Sequence, residues 1–200
     1  MILDEEKHKD LFQKSLNRFA AVTEDSFAKL ISISKFKTVK KGEYILIKGQ
    51  TARKIYFVCK GILISQWIDH EGNVHIKNFF LEGNFAASTV SLLLSAPSSF
   101  GIGSLEEGVV LEMDFTKYKQ LIYECDDLKN FYIGYLEQKW IIENEKRQIS
   151  FAAQNATDRY LTFLNDYPSL DRRVSQRLIA SYLGITPTQL SRIRTELKKN

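Results

Sequence analysis

The spacing of hydrophobic residues changes twice along this chain, and each spacing predicts a different kind of element. Thr23 is a suitable N-cap residue between two short helical stretches in the first 30 residues. Apolar side chains recur there at helical intervals, at Leu11, Phe12, Leu16, Phe19, Phe27 and Leu30. The chain is therefore expected to begin with two short helices.

From Lys35 the pattern changes to short β-type runs with polar or glycine-containing breakers between them. The first run contains Phe36 and Val39. The others cover residues 44–47, 55–58, 61–67, 74–79 and 109–114, the last of these being the final strand. Residues 69–73 are expected to form an exposed hairpin turn. Short strands at close intervals predict an antiparallel sandwich, roll or barrel.

The helical period returns at Phe115 and continues to about Phe151. Four apolar residues are spaced by seven along it: Leu128, Tyr135, Ile142 and Ile149. A coiled coil needs apolar residues at two positions of each seven-residue repeat, and polar residues at the second of these positions make the pattern imperfect here. A helix of about 25 residues is about 38 Å long. It can pack against a second copy of itself or serve as a single intramolecular helix. We favour the dimer, because symmetric dimers are the commonest oligomers.

The last fifty residues contain the most informative pattern, a helix, a tight turn and a second helix around residues 174–197. Gly184 suits the left-handed position after a helix. Thr186 is expected to cap the next helix and Pro187 to occupy its first position. The residues expected to face inward are Val174, Leu178, Ile179, Tyr182, Leu183, Ile185, Leu190, Ile193 and Leu197.

The outward side of the second helix carries hydrogen-bonding groups, which reading base edges in a major groove requires. The candidate DNA-binding residues are Thr186, Thr188, Gln189, Ser191, Arg192 and Thr195. Arg172 and Arg173, just before the helix pair, are candidates for phosphate contacts, and solubility explains them equally well. An ordinary helical hairpin with a solvated face is the alternative interpretation.

The net charge of +4 supports a nucleic-acid-binding C-terminal part. Residues 151–200 hold eight basic and four acidic residues, so the whole excess lies there and residues 1–150 are neutral. No segment approaches the roughly 20 apolar residues of a membrane span. The charged N-terminus has no secretion signal, so a cytoplasmic protein is expected.

The sequence offers little for metal or catalytic chemistry. Cys59 and Cys125 are too few for a four-cysteine metal site. His70 and His75 lie on either side of the predicted hairpin turn and are interpreted as solvated turn residues. No serine lies in a Gly-x-Ser-x-Gly motif. We predict no catalytic residues, no metal, no cofactor and no enzyme activity.

Three blocks, taken in this order, resemble bacterial transcription regulators of the cyclic-AMP receptor protein and fumarate-nitrate regulator (Crp–Fnr) family. Residues 41–49 and 55–61 are similar to the opening of the family's β-roll, and residues 83–85 (Gly-Asn-Phe) to the Gly-Asp-Phe that enters its nucleotide pocket. The helix-turn-helix pattern is the third block. The resemblance implies an α+β fold with an antiparallel β-roll at residues 1–115, a dimerisation helix at 116–151 and a helix-turn-helix domain at 152–200.

The resemblance also implies roles for single residues of the second helix. Thr186 matches a capping, phosphate-contacting residue, and Arg192 matches the arginine that reads guanine. Thr188 stands where many members have a glutamate that binds cytosine, so the half-site differs. Arg194 is expected to pair within the fold. The implied partners are a two-fold symmetric DNA duplex, a second copy of the chain and RNA polymerase, with no membrane.

The expected effector pocket departs from the family pattern. Its candidate residues are Asn84, Phe85, Ser88, Thr89, Ser98 and Ser99. No carboxylate follows Phe85, and Ser98 replaces the arginine that neutralises a phosphate. Neutral hydroxyls supply no countercharge for a buried phosphate. We therefore expect no binding of cyclic AMP, and either a hydroxyl-rich pocket for another small ligand or a vestigial one.

Two other functions are weighed against a DNA-binding regulator. A cupin-like β-barrel enzyme or ligand-binding protein would need three or four metal ligands inside the barrel. A regulatory module could instead use its C-terminal helices to bind a protein partner. The sequence names neither the operator nor the effector, and does not choose between activation and repression.

Overall fold

The computed structural model describes residues 4–199. It begins with two helices, α1 (Glu5–Asn17) and α2 (Glu24–Ser32). The Thr23 hydroxyl caps α2 by accepting a hydrogen bond from the Ser26 amide at 3.3 Å. The two helices and the cap between them are therefore confirmed.

Two antiparallel four-stranded sheets come next and face each other as a sandwich. Along the chain the elements are β1 (Ser34–Val39), β2 (Tyr44–Leu46), β3 (Lys54–Lys60), β4 (Leu63–Ile68), β5 (Val74–Phe80), β6 (Phe85–Ala86), α3 (Thr89–Leu94), β7 (Gly101–Ser104) and β8 (Gly108–Asp114). The strand orders are β1-β8-β3-β6 and β2-β7-β4-β5. The predicted strands are present, and β8 is the last one in the described part of the chain.

The second half is helical. Its elements are α4 (Phe115–Glu124), α5 (Asp126–Tyr135), a π-helical segment (Leu136–Ile142), α6 (Glu143–Ala153), α7 (Ala156–Asp166), α8 (Leu170–Arg173), α9 (Gln176–Leu183) and α10 (Pro187–Leu197). The extended backbone of Cys125 separates α4 from α5. Residues 126–153 then run as one long helix, which we call the central helix. Among residues 4–199, no helix has both the length and the apolar character that a membrane crossing demands.

Two strands, β6 and β7, were not predicted from the sequence. The four residues of β7 are small except for Ile102, and the Tyr44 ring of the neighbouring strand lies over them. A Cβ atom at Gly101 would stand 3.1 Å from that ring and 3.1 Å from the Leu46 carbonyl. Glycine is needed here because a neighbouring side chain occupies the space above the strand.

Three hydrophobic cores hold the elements together. The first lies between the β1-β8-β3-β6 sheet and helices α1, α2, α4 and α5, and it contains Phe12, Phe57 and Phe131. The second fills the sandwich between the two sheets. The third joins the outer face of β4 and β5 to helices α7–α10, where Phe79 meets Phe163. The helix-turn-helix part is therefore packed on the sandwich.

The predicted heptad seam does not form one continuous face. Leu128 is fully buried in the first core and Tyr135 packs against it, whereas Ile142 is 41% and Ile149 57% exposed. The π-helical segment, which begins after Tyr135 and ends at Ile142, changes the helical register. The expectation of a single seam of four residues is therefore wrong.

Candidate DNA-binding surface and effector cavity

The turn between α9 and α10 has the geometry that the sequence predicted. Gly184 adopts a left-handed conformation with φ of +68°, and its amide donates to the Ser181 carbonyl at 3.2 Å. The Thr186 hydroxyl accepts a hydrogen bond from the Gln189 amide at 3.1 Å, with Pro187 as the first helical residue. Ser175 precedes α9 but its side chain makes no capping hydrogen bond. Local backbone rules thus fix the angle between the two helices.

Helix α10 has a buried apolar side and an exposed polar side. Leu190 and Ile193 are buried in the third core. The candidate base-reading residues Thr188, Gln189, Ser191, Arg192 and Thr195 are all exposed. The Thr195 hydroxyl donates to the Ser191 carbonyl at 2.9 Å, which leaves its methyl group and oxygen lone pair outward. This surface therefore presents hydrogen-bonding groups of the kind that base edges in a major groove require.

Arg194, on the same helix, points the other way. Its guanidinium donates to the Tyr160 hydroxyl at 3.0 Å and pairs with the Asp171 carboxylate. Burial alone would lower the pKa of Arg194, but these two partners outweigh that effect and raise it. The expectation that Arg194 pairs within the fold is confirmed.

The two arginines before α9 have different environments. Arg172 is exposed, whereas the Arg173 guanidinium donates to both Glu82 carboxylate oxygens at 2.7 and 3.0 Å and also pairs with Glu106. These bonds, first of all that to Glu82, raise the pKa of Arg173. In this conformation Arg173 ties the helix-turn-helix part to the sandwich and is not presented to a phosphate.

A second polar contact joins the same two parts of the protein. The Ser181 hydroxyl of α9 accepts a hydrogen bond from the Ile76 amide at 3.1 Å and donates to the Val74 carbonyl at 2.6 Å. Helix α9 is thereby attached to β5 by hydrogen bonds on both sides of one hydroxyl. Neither this contact nor the Arg173 pair was predicted, because the partners lie far apart in the sequence and no local pattern marks them.

The serines predicted as effector ligands satisfy one another instead. The Ser98 hydroxyl donates to Ser88 Oγ at 2.8 Å or to the Phe100 carbonyl at 2.7 Å, and both serines are buried. Ser99 is exposed on the surface of the sandwich. Hydroxyls that are already paired inside the protein are poorly placed to bind a ligand. Ser88 borders a small cavity of about 160 Å³, so a ligand role for these serines stays a prediction.

The other three predicted residues do line a cavity. Asn84, Phe85 and Thr89 border a space of about 610 Å³ between the sandwich, the central helix and the helix-turn-helix part. Its remaining walls are mostly aromatic and cationic and include Phe100, Tyr132, Tyr135, Trp140, Lys77 and Arg147. A volume of this size is typical of small-molecule sites. The sequence did not single out Lys77 or Arg147, since a lysine on a strand and an arginine on a helix are ordinary surface residues.

The histidines are placed away from this cavity. His75 stacks on Trp67 and forms a hydrogen bond with Asp69 at 2.7 Å, in the β4–β5 hairpin. That contact, together with hydrogen bonds from the Asn73 and Glu71 amides, lowers the pKa of Asp69. Within residues 4–199 no three His, Cys, Asp or Glu side chains cluster as a metal site would require.

Comparison with known proteins agrees with this architecture. Residues 36–125 match the model of the cyclic nucleotide-binding domain. The chain is 22% identical over 179 residues to the transcriptional activator protein Anr of Pseudomonas protegens, covering 84% of this chain and 72% of that protein. It is 23% identical over 182 residues to the fumarate and nitrate reduction regulatory protein of Yersinia pestis, covering 84% and 70%. It shares its fold with FixK2 from Bradyrhizobium japonicum, with a TM-score of 0.70 and 18% identity over 84% of this chain and 85% of that one.

The fold and its C-terminal surface define a cyclic nucleotide-binding-like β-sandwich joined through a central helix to a helix-turn-helix. In sequence and in fold the chain is similar to transcription regulators of the Crp–Fnr family.

Proposed function

We propose that this chain is a sequence-specific DNA-binding regulator that acts as a homodimer and does not respond to cyclic AMP. In this proposal residues 1–115 are the sensing body, 116–151 the dimerisation helix and 152–200 the reading domain. The observation that carries it is the two-sided character of α10. Leu190 and Ile193 fix the helix from within, and the side chains for base contacts are exposed together on its other side.

Arg192 is the residue expected to contribute most to sequence discrimination. A bidentate contact between an arginine and guanine is worth about 1–3 kcal/mol against a wrong base. Its guanidinium is exposed on α10, and no ion pair within the described residues engages it. The preferred site is first obtained by selecting bound duplexes from random DNA.

The test compares Arg192→Ala with Arg18→Ala, which removes an equally exposed arginine at the end of α1. Arg192→Ala should reduce the ratio of specific to random-duplex binding by about 5- to 150-fold, the range that this contact energy gives. Arg18→Ala should leave the ratio unchanged. Equal discrimination by the Arg192 variant and the wild type would reject this assignment.

The homodimer is supported by exposed apolar side chains along the central helix. Ile133, Trp140, Ile141, Ile142 and Ile149 are between 39% and 59% exposed. Clustered exposed apolar side chains on one helix are typical of an interface. In a dimer formed by two-fold pairing of the central helices, the two α10 helices would lie about 34 Å apart. They could then enter successive major grooves of a symmetric site.

The dimer is tested by light scattering on Ile141→Glu. A charge in an apolar interface is costly to bury, so this variant should be monomeric and should bind the selected site more weakly. Tyr123→Glu is the matched control, because Tyr123 is 68% exposed on α4, outside the proposed interface. A dimeric Ile141→Glu protein would place the interface elsewhere.

The lack of a cyclic-AMP response is supported by the charges around the sandwich. Ser98, at the position of the family's phosphate-binding arginine, is buried and bonded to Ser88. Neither Ser98 nor Ser88 supplies the positive charge that the family's arginine would give to a buried phosphate at this place.

A further inference from the structure

The cavity between the sandwich and the central helix contains a cation with no acidic partner. The Lys77 ammonium lies 4.4 Å from the centre of the Phe100 ring, and no carboxylate pairs with it among residues 4–199. Lys77 remains exposed to solvent at the cavity mouth, and partial desolvation of its ammonium, together with the nearby Arg147 charge, lowers its pKa. An anion at this position would relieve both effects.

A hydroxyl group beside Lys77 also lacks a partner. Ser65 is 1% exposed and lines the cavity, and its Oγ makes no hydrogen bond in the described structure. It lies on β4 directly opposite Asn78, the residue after Lys77 on β5. Buried hydroxyls almost always have a partner, so one that lacks it beside a cation is typical of a ligand site.

The charges near this place favour an anionic ligand. Arg147 borders the same cavity, donates to the Lys77 carbonyl and has its guanidinium 4.6 Å from the centre of the Tyr182 ring, so its charge is not neutralised by these partners. The cavity's Glu143 is paired with Lys139 at 2.7 Å. The Lys77 ammonium and the Ser65 hydroxyl can bind the two oxygens of a carboxylate.

The remaining walls favour a flat apolar group. Phe100, Tyr132, Tyr135 and Trp140 surround the space beyond Lys77, and three of them come from the central helix. Aromatic walls pack well on a ring by stacked or edge-to-face contacts.

We propose that this cavity binds a small aromatic monocarboxylate, with the carboxylate at Lys77 and Ser65 and the ring among Phe100, Tyr132 and Trp140. The proposal rests on the proposed function only in making this ligand the effector of the regulator. Binding itself is measured without DNA, so failure of the ligand site and failure of the DNA-binding proposal are separate results.

The probes are benzoate, phenylacetate and 3-phenylpropionate, titrated into the full chain by calorimetry and by thermal unfolding. At least one should bind saturably at sub-millimolar to millimolar concentration and raise the melting temperature. Its neutral amide, acetate and cyclic AMP should each bind at least tenfold more weakly. The proposal is overturned if none of the three acids binds, or if acid and amide bind equally well.

Two variants test the residues. Lys77→Met keeps the apolar stem and should weaken binding of the carboxylate at least tenfold, while Lys117→Met, an exposed lysine of α4, should not change it. Ser65→Ala should weaken binding several-fold without lowering the melting temperature of the free protein, because it removes a hydroxyl that bonds to nothing in the chain. Unchanged binding in Ser65→Ala, or loss of stability with unchanged binding, contradicts the assignment even if Lys77→Met does not fold.

Discussion

Replacing Arg173 by methionine should release the helix-turn-helix part from the sandwich. Arg173 is the only arginine within residues 4–199 that pairs with two carboxylates, Glu82 and Glu106, and both belong to the sandwich. Burial alone would raise the pKa of Glu82, but the bonds from Arg173 and from the Gly61 amide, at 2.9 Å, outweigh it and lower that pKa. Methionine keeps most of the apolar stem and removes all of the charge.

The size of the effect follows from the exposure of the three groups. Their side chains are 28%, 32% and 35% exposed, so the pairs are neither free in water nor fully buried. Hydrogen bonds to charged groups contribute about 1.5–3 kcal/mol when buried and much less at the surface. We expect about 1–2 kcal/mol here, which shifts the docking equilibrium by roughly 5- to 30-fold.

Hydrogen exchange measures this shift directly. The Ile76 amide donates to Ser181 across the docked surface, so its protection depends on docking. Arg173→Met should speed exchange at β5 by roughly 5- to 30-fold, the factor given by the docking energy. Arg172→Met is the control: it removes a neighbouring arginine that is not paired with Glu82 or Glu106, so it should leave the exchange rate unchanged.

Salt titration of DNA binding gives a second, independent result. Each lost phosphate contact reduces the slope of log affinity against log salt by about 0.9. Arg172→Met should show this reduction and Arg173→Met should not, as long as Arg173 stays bound to Glu82. Equal exchange rates in Arg173→Met and wild type, or the same loss of slope in both variants, would refute the reasoning.

Three further predictions concern stability and ligand response. Gly108→Ala should lower the free energy of unfolding, measured in urea, by about 1–3 kcal/mol, because its new Cβ would stand 2.3 Å from the Lys60 carbonyl oxygen. In the control Gly103→Ala the new Cβ meets only the Tyr44 ring at 3.4 Å, so the free energy of unfolding should fall less. Burial lowers the pKa of His8 in the folded protein, so the stability that its neutral form confers is complete above about pH 6.5 and is lost as the pH falls below it. Between pH 7.5 and 5 the melting temperature should therefore decline more steeply in the wild type than in His8→Phe. Parallel curves for the two proteins would contradict this. Cyclic AMP at millimolar concentration should leave the melting temperature unchanged, and a clear rise would show that a phosphate is bound despite Ser98.

The helix-turn-helix could be predicted because its determinants are local. Gly184, Thr186 and Pro187 each act on the backbone within one turn of themselves, and the structure places all three in their expected roles. The same holds for the Thr23 cap at the other end of the chain. Signals of this kind need no knowledge of tertiary contacts.

The strands β6 and β7 could not be predicted, because their partners define them. Phe85 and Ala86 form a strand through pairing with Phe57 and Tyr56, nearly thirty residues earlier. Gly101 has almost no strand propensity and is held by its neighbours. Tertiary context overrode local preference at both places.

The candidate sites were predicted unequally for the same reason. The polar side of α10 follows from helical spacing, so its exposed residues were found. The pairing of Ser88 with Ser98, ten residues away, and of Arg173 with Glu82, 91 residues away, depends on how the chain closes on itself. Lys77 gains its importance only from the cavity that it borders together with the central helix. Binding chemistry that arises between elements leaves no pattern within either one.

The central helix shows how one local irregularity connects these sites. Each residue of an α-helix turns the chain by about 100° around the helix axis. A π turn contains one residue more than an α turn, so the part of the helix after it is rotated by about 100° relative to a continuous α-helix. The Glu143 amide donates to the Gln138 carbonyl five residues back, which marks such a turn. Leu128, before it, packs on the sandwich, whereas Ile149, after it, is exposed. Trp140, within the π segment, borders the cavity. Conversion of the segment to α-helix would therefore rotate the proposed dimer face relative to the sandwich, and a ligand in the cavity would contact one of the residues that have to move.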